Sequence, residues 1–363
     1  MFEVYKNKNI LVTGHSGFKG SWLCAWLTSL GANVRGISLA PSETQPSLFN
    51  LLGDDLCADS IFGDIRDYPL MKKLIAEFEP DCVMHLAAQA LVRESYANPL
   101  DTFATNVMGT ANILEACRHL PKPPAIVCVT TDKVYHNADW AWPYRETDPL
   151  GGKDPYSSSK AAAELVAGAY RDTMFKLGGK KGPSIATVRG GNVIGGGDWA
   201  DDRIIPDAVR AAQTGTALSI RNPDAVRPWQ HVLELCHGYM TLGEKLLSND
   251  ADDFIGAWNF GPSPMEVVPV HELVATLKKN WTDVDLKVEF GADPGLPEAR
   301  YLTLDISKSI RDLRWGPGLT VWESIELTAD WYDAYFKSPE QAIDMTFKQI
   351  SAYTDKRKAQ TRV

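Results

Sequence analysis

The chain has 363 residues, 44% of them hydrophobic, which is ample for a large core in one or two domains. A net charge of −9 and a pI near 5.3 argue against a nucleic-acid partner, although a local arginine cluster can still meet an anionic ligand. Six scattered cysteines without a Cys-x-x-Cys pair, histidines without ligand spacing, and no leader-like or long apolar stretch predict free thiols, no metal, no membrane and a cytoplasmic protein.

The first apolar run, Asn9-Ile-Leu-Val-Thr13, reads as a buried strand. It leads into Gly14-His15-Ser16-Gly17-Phe18-Lys19-Gly20 and a helical segment from Ser21. A strand, a glycine-rich turn and a helix N-terminus form a cradle for a pyrophosphate, so these seven residues are candidate cofactor contacts. His15 either touches the phosphates or faces solvent. The second strand, Asn33 to Ser38, ends without the acid that usually holds the adenosine ribose of NAD. No basic residue follows it to hold a 2′-phosphate either. NAD is the expected cofactor, held less tightly than usual.

Alternation continues with a strand from Asp59 towards Asp64-Ile65 and a helix from Tyr68 to Phe78. A strand over residues 81–86 closes on Leu86-Ala87-Ala88-Gln89. A helix over residues 102–119 and a strand over residues 125–130 follow. Strands alternating with helices imply a Rossmann-type, doubly wound parallel sheet, with ligands at the carboxyl ends of the strands. Asp64, Ile65 and residues 86–89 lie at those ends and join the cofactor candidates.

Asp154-Pro-Tyr156-Ser-Ser-Ser-Lys160 places a Tyr and a Lys four residues apart on one helix face, with Asp154 as N-cap and Pro155 as first helical residue. A neighbouring ammonium stabilises a phenolate, so the spacing predicts a Tyr156 pKa drawn towards neutrality and a role as proton acceptor. The helix is expected to run to about residue 177. Its alanines, with the helix near residues 100–118, suit a homodimer interface. After a strand over residues 184–189 the alternation fades. Residues 1–190 therefore read as the NAD-binding domain, with part of 228–262 returning to it. Residues 191–227 and 263–350 read as a smaller α/β substrate lobe. The polar, basic segment after Lys348 is expected to fray.

Taken together, Gly14-x-x-Gly17-x-x-Gly20, Leu86-Ala-Ala-Gln89, Thr131-Asp132-Lys133 and Tyr156-x-x-x-Lys160 resemble the extended short-chain dehydrogenases that modify nucleotide sugars. The likeness covers about residues 8–335. Thr-Asp followed by Glu or Lys is similar to the 4,6-dehydratase branch. Lys133, the start of the glycine turn and Gly191-Asn-Val-Ile-Gly-Gly-Gly-Asp-Trp199 resemble the members acting on CDP-glucose. The resemblance implies internal oxidation and reduction through NAD, net loss of water, and a product used for deoxysugars of surface polysaccharides. It implies that Tyr156 takes the C4 hydroxyl proton, that Thr131 holds the C4 oxygen and that Lys160 orients Tyr156. Lys133 would take the C5 proton and Asp132 would protonate the departing C6 hydroxyl. Asn192, Trp199, Arg203, Arg227, Arg300 and Tyr301 would bind the nucleotide sugar, with Trp199 equally readable as core. A sugar-nucleotide epimerase and a non-catalytic dinucleotide sensor are the alternatives. The acid–base pair at 132–133 argues against the first, and the intact Tyr156, Lys160 and Thr131 against the second.

Overall fold

The structure, a computed structural model, describes residues 1–179, 182–263, 266, 268–281, 284–291 and 302–360. Strands β1 (Asn9–Thr13), β2 (Asn33–Ser38), β3 (Asp59–Phe62), β4 (Cys82–His85), β5 (Ala125–Val129) and β6 (Ser184–Gly190) are joined by a returning strand, Gly256–Phe260. They form one seven-stranded sheet in the order Gly256–Phe260, β6, β5, β4, β1, β2, β3. All pairings in it are parallel. The order reverses between β1 and β4, where the ends of both strands open a crevice for ligands.

The central strands are mostly apolar because both faces are covered. Ile10 and Val12 of β1, Cys82 and Met84 of β4, and Val127 of β5 enter one core with helix α1 (Phe18–Ser29) and the C-terminal helices. Their neighbours Leu11, Val83 and Ile126 enter the other core with the helices Tyr68–Phe78 and Thr110–Arg118. The period-two alternation therefore builds two cores rather than one core and one wet face. All six cysteines are buried free thiols. Among the described residues no helix is long and apolar enough to cross a membrane, and no cluster of His, Cys, Asp or Glu could hold a metal. Outside the main sheet lie two-stranded pairs, including Ala217–Ile220 beside Lys287–Phe290.

Two elements differ from expectation. The helix expected over residues 102–119 starts at Pro99 and widens into a π-helical stretch, Ala104–Gly109, before continuing as Thr110–Arg118. The expected frayed tail is instead an ordered helix, Pro339–Gln360, although most of its surface is polar. A few inward groups hold it. The Tyr353 hydroxyl donates to Glu234 Oε2 at 2.8 Å, and Arg357 Nη1 donates to the Gly316 carbonyl at 2.8 Å. Glu234 Oε1 accepts from the Gly318 and Leu319 amides at 2.8 and 2.6 Å. One buried carboxylate thus ties the core to the last helix. Tyr353→Phe removes one of these bonds and is expected to cost about 1–2 kcal/mol. Amide exchange across residues 339–360 should rise with it. Unchanged exchange there would show that the helix is held by other contacts.

Candidate active site

The glycine turn fits the diphosphate of a dinucleotide. Gly14 has φ +77°, and a Cβ there would sit 2.8 Å from the Ala87 amide nitrogen. A Cβ on Gly20 would lie 2.1 Å from the Gly14 carbonyl oxygen. The N-cap of α1 is Gly17, with no side chain bonded to the first-turn amides, so these donors remain free for an anion. Gly14, Gly17 and Gly20 with the turn backbone would hold such a cofactor.

Other cofactor candidates fall differently. His15 neither touches a phosphate position nor faces solvent. Its ring is buried across Gly36 of β2, with Nε2 2.7 Å from Ser60 Oγ and Phe49 and Phe62 as neighbours. Burial lowers its pKa to about 4, so it is neutral. At the end of β2, where an acid is absent, Ser38 Oγ donates to Ser16 Oγ at 2.8 Å and Ser16 Oγ donates to the Leu39 carbonyl at 2.9 Å. Asp64 is engaged by the Arg66 guanidinium, which lowers its carboxyl pKa. The Ile65 side chain is buried in the core facing Gly109. The Gln89 amide is consumed internally, donating to Leu91 O and Thr102 Oγ1 and accepting from the Leu91 amide. It shapes the loop after β4 rather than offering its side chain to a ligand. Leu86 and Ala87 lie against the turn, their amides donating to Thr13 O at 3.1 Å and Thr13 Oγ1 at 3.2 Å, and Ala88 follows them. Phe18 is half-buried near Gly195.

The end of β5 and the helix Pro155–Asp172 form the reactive centre. Asp154 Oδ1 accepts from the Ser157 amide at 2.9 Å, an N-cap that fixes the first turn carrying Tyr156. Lys160 is buried, and its Nζ donates to the Val129 carbonyl at 2.8 Å, tying the helix to β5. Thr131 Oγ1 donates to Asp132 Oδ1 at 3.0 Å, while Asp132 Oδ2 is buried without a hydrogen-bond partner. Burial raises the Asp132 carboxyl pKa, against the pull of the Lys133 and Arg227 cations. Lys133 itself is half-buried.

Tyr156 departs from the sequence expectation. Burial pushes its phenol up to about 12, and the nearby Asp132 pushes the same way. The groups favouring its phenolate are the Thr131 hydroxyl and the Arg203 guanidinium rather than Lys160. A protonated Asp132 would remove one of the influences that oppose the phenolate, so the two ionisations are linked.

Arg203 Nη1 donates to Asp198 Oδ2 at 2.8 Å. Arg227 is buried, with Nη1 donating to the Val226 carbonyl at 2.9 Å. Asn192 is half-buried, and its carbonyl accepts from the Gln230 amide at 3.0 Å. Trp199 is a core residue: its ring lies edge-on to Trp331, Tyr332 and Tyr335 at 5.2–6.1 Å. Arg300 and Tyr301 lie outside the described residues.

Two supports were not anticipated. Asn106, in the π-helical stretch, is buried. Its Nδ2 donates to Gln89 O at 3.0 Å and to Ser159 Oγ at 2.8 Å, linking the loop after β4 to the Tyr156 helix. Glu164, one turn beyond Lys160, forms a buried two-point ion pair with Arg189 of β6, both bonds at 3.0 Å. Thr130 and Thr187 hydroxyls also donate to Glu164 at 2.6 and 2.7 Å. A charged residue amid the alanines of that helix was the available sequence signal.

The family described as GDP-mannose 4,6 dehydratase matches residues 11–328. The chain belongs to that family. A CDP-glucose 4,6-dehydratase of Salmonella typhimurium is 43% identical over 351 residues, 96% of this chain and 97% of its own length. A dTDP-glucose 4,6-dehydratase of Xanthomonas campestris is 28% identical over 339 residues, 89% of this chain and 92% of its own. Among solved structures, a dTDP-glucose 4,6-dehydratase of Streptomyces venezuelae with NAD bound is similar at a TM-score of 0.73. It shares 27% identity and covers 90% of this chain and 97% of its own.

In this dehydratase-family chain, Glu164→Gln leaves Arg189 buried without a countercharge. The expected loss is about 3–5 kcal/mol in chemical denaturation. Burial alone would raise the Glu164 pKa, but Arg189 together with the Thr130 and Thr187 hydroxyls outweighs it and the net shift is downwards. A lowered folded-state value means that the stabilisation is complete above the reference value of 4.5 and fades as pH falls below it. The mutant should therefore differ least from the parent in acid. An equal difference at pH 7 and pH 3 would refute the ionic account.

Proposed function

We propose that this chain is a CDP-glucose 4,6-dehydratase, converting CDP-glucose to CDP-4-dehydro-6-deoxyglucose and water with NAD as cofactor. The observation that carries the reading is its near full-length likeness to the Salmonella CDP-glucose 4,6-dehydratase. The site chemistry is consistent with it, because the reaction needs an acid, a base and a second proton acceptor around one sugar ring.

NAD, when bound in the glycine turn, supplies reversible two-electron oxidation at the sugar. Tyr156 accepts the C4 hydroxyl proton, with Thr131 and Arg203 favouring its ionised form. The carbonyl formed at C4 acidifies the C5 proton, which Lys133 takes. Asp132, with one oxygen unpartnered and its carboxyl held towards the neutral state, gives its proton to the C6 hydroxyl. That hydroxyl departs as water, and the hydride taken from C4 would return to C6 while a proton returns to C5, so the net change is loss of water alone. Lys160 holds the helix against β5 through Val129 and orients Tyr156. Arg227 and Arg203 meet the substrate diphosphate, for which guanidinium groups suit two-point contact. Asn192 adds a polar contact to the nucleotide sugar.

The working form is a homodimer in the cytoplasm, with its product feeding deoxysugars of surface polysaccharides. The segment Pro99–Gly109 and the Tyr156 helix expose Leu100, Met108 and Leu165, a set of apolar side chains that a second copy would cover. The free buried cysteines suit a reducing compartment. Sedimentation at micromolar concentration should give twice the monomer mass; a monomer there would remove the dimer.

The test of function incubates the protein with NAD and each of CDP-, dTDP-, UDP- and GDP-glucose, reading loss of water by mass spectrometry. Loss from CDP-glucose is expected, and loss from another nucleotide alone would refute the cytidine assignment. With CDP-glucose, Lys133→Met should retain cofactor reduction at C4 while water loss falls by at least about 100-fold, the scale of general-base catalysis. Dehydration at the parental rate would refute Lys133 as the base.

A further inference from the structure

His85 ends β4 and pairs with Thr13, the last residue of β1, which leads directly into the glycine turn. Both are buried, between the two strands where the sheet order reverses. Thr13 Oγ1 lies 2.7 Å from His85 Nδ1 and accepts from the Ala87 amide at 3.2 Å. On the other side of the ring, His85 Nε2 lies 3.1 Å from Thr110 Oγ1. The Thr110 hydroxyl donates to the Asn106 carbonyl at 2.7 Å.

These contacts fix where the protons lie. A carbonyl only accepts, and a hydroxyl has one proton to give. Thr110 has spent its proton on Asn106, so its oxygen accepts from His85 and the ring carries its proton on Nε2. Nδ1 is then a bare acceptor, to which the Thr13 hydroxyl donates. The bonds therefore run in one direction, from the Ala87 amide through Thr13, His85 and Thr110 to Asn106. The Asn106 side chain carries the connection onwards, donating to Ser159 Oγ at 2.8 Å, and Ser159 Oγ donates to the Tyr156 carbonyl at 2.7 Å. Burial, with the Lys160 cation, lowers the His85 pKa to about 3, which keeps the ring neutral. A second ring proton would face Thr13 and leave the Thr13 hydroxyl proton without its acceptor.

We propose that His85 is a positioning residue for the hydride step. As a neutral ring protonated on Nε2, it holds the glycine turn and the loop after β4 at a fixed distance from the Tyr156 helix, and so sets how the sugar C4 meets the cofactor. This rests on the reading above of Tyr156 as proton acceptor and NAD as cofactor. His85 touches neither ligand; it acts through Thr13 on one side and through Thr110 and Asn106 on the other.

Two measurements on the full-length protein test it. Without ligands, NMR of the His85 ring nitrogens should show the Nε2-protonated neutral form unchanged from about pH 5 to about pH 9. A ring protonated on Nδ1, or one that titrates near the reference value of 6.5, overturns the inference. The second measurement follows single turnovers at saturating NAD and CDP-glucose by the absorbance of the reduced cofactor. Their rate constant does not depend on the fraction of protein that is folded. Thr110→Val removes the hydroxyl at nearly constant volume and should slow cofactor reduction by about tenfold or more, since misplacement by about 1 Å can cost about 100-fold. Thr110→Ser keeps the hydroxyl and should stay within about twofold of the parent, and both variants should bind NAD and CDP-glucose within about twofold of it. A Thr110→Val protein that reduces the cofactor at the parental rate overturns the inference, and so does one that is impaired only through weaker binding. A parent that reduces no cofactor with CDP-glucose overturns the functional reading and the positioning role with it, even where the ring-nitrogen signals bear out the order of bonds.

Discussion

The site depends on a buried ion pair set behind its reactive residues. Glu164 and Arg189 join the Tyr156 helix to β6, and Thr130 extends the same network to the end of β5. Arg189 also donates to the Tyr135 hydroxyl, which donates to Asn259 on the returning strand. Residues 130–135, the helix and two adjacent strands are thus tied to one carboxylate and one guanidinium. Such a pair adds little to stability compared with apolar packing of the same volume. Its effect here is geometric: Thr131 and Asp132 follow Thr130 directly, and Tyr156 lies two turns up the helix from Glu164. Rigid placement of this kind is what proton transfer over hydrogen-bond distances requires.

Charge at the site is arranged in opposition. Tyr156 is held as a phenol by burial, while Asp132 is drawn towards its acid form by the same exclusion of water. Arg203 acts on Tyr156, and Lys133 and Arg227 act on Asp132, with Asp198 as a buried countercharge to Arg203. The chain as a whole is acidic, so this cationic interior reverses the sign of the global charge. An anionic ligand is attracted by local arrangement rather than by net charge.

The sheet was legible because its strands are short, apolar and separated by strong turn signals. Asn9–Thr13, Asn33–Ser38 and Tyr68–Phe78 fall where pattern and caps place them. Asp154 caps its helix as its residue type predicts. What the sequence hid depends on long-range contacts. His15 is buried because Gly36, a strand away, leaves space for its ring. Arg227 reaches the field of Asp132 only through the return of the chain to the sheet. The lowered Tyr156 pKa expected from Lys160 gives way to burial, a property that spacing along one helix does not contain. The last helix looked disposable because its polar positions outnumber the few that pack, Ile350, Tyr353 and Arg357 among them.

The docking of that helix brings the two ends of the described chain together. Trp26 of α1 lies edge-on to Phe2 at 6.1 Å and to Tyr353 at 5.6 Å, and the His237 ring lies within 6.3 Å of all three. A single aromatic cluster therefore seals residue 2 against residue 353. Loss of the helix at Tyr353 would therefore uncover Trp26 and Phe2 as well, so the packing of α1, whose first turn borders the cofactor turn, depends on a helix more than 300 residues away in sequence.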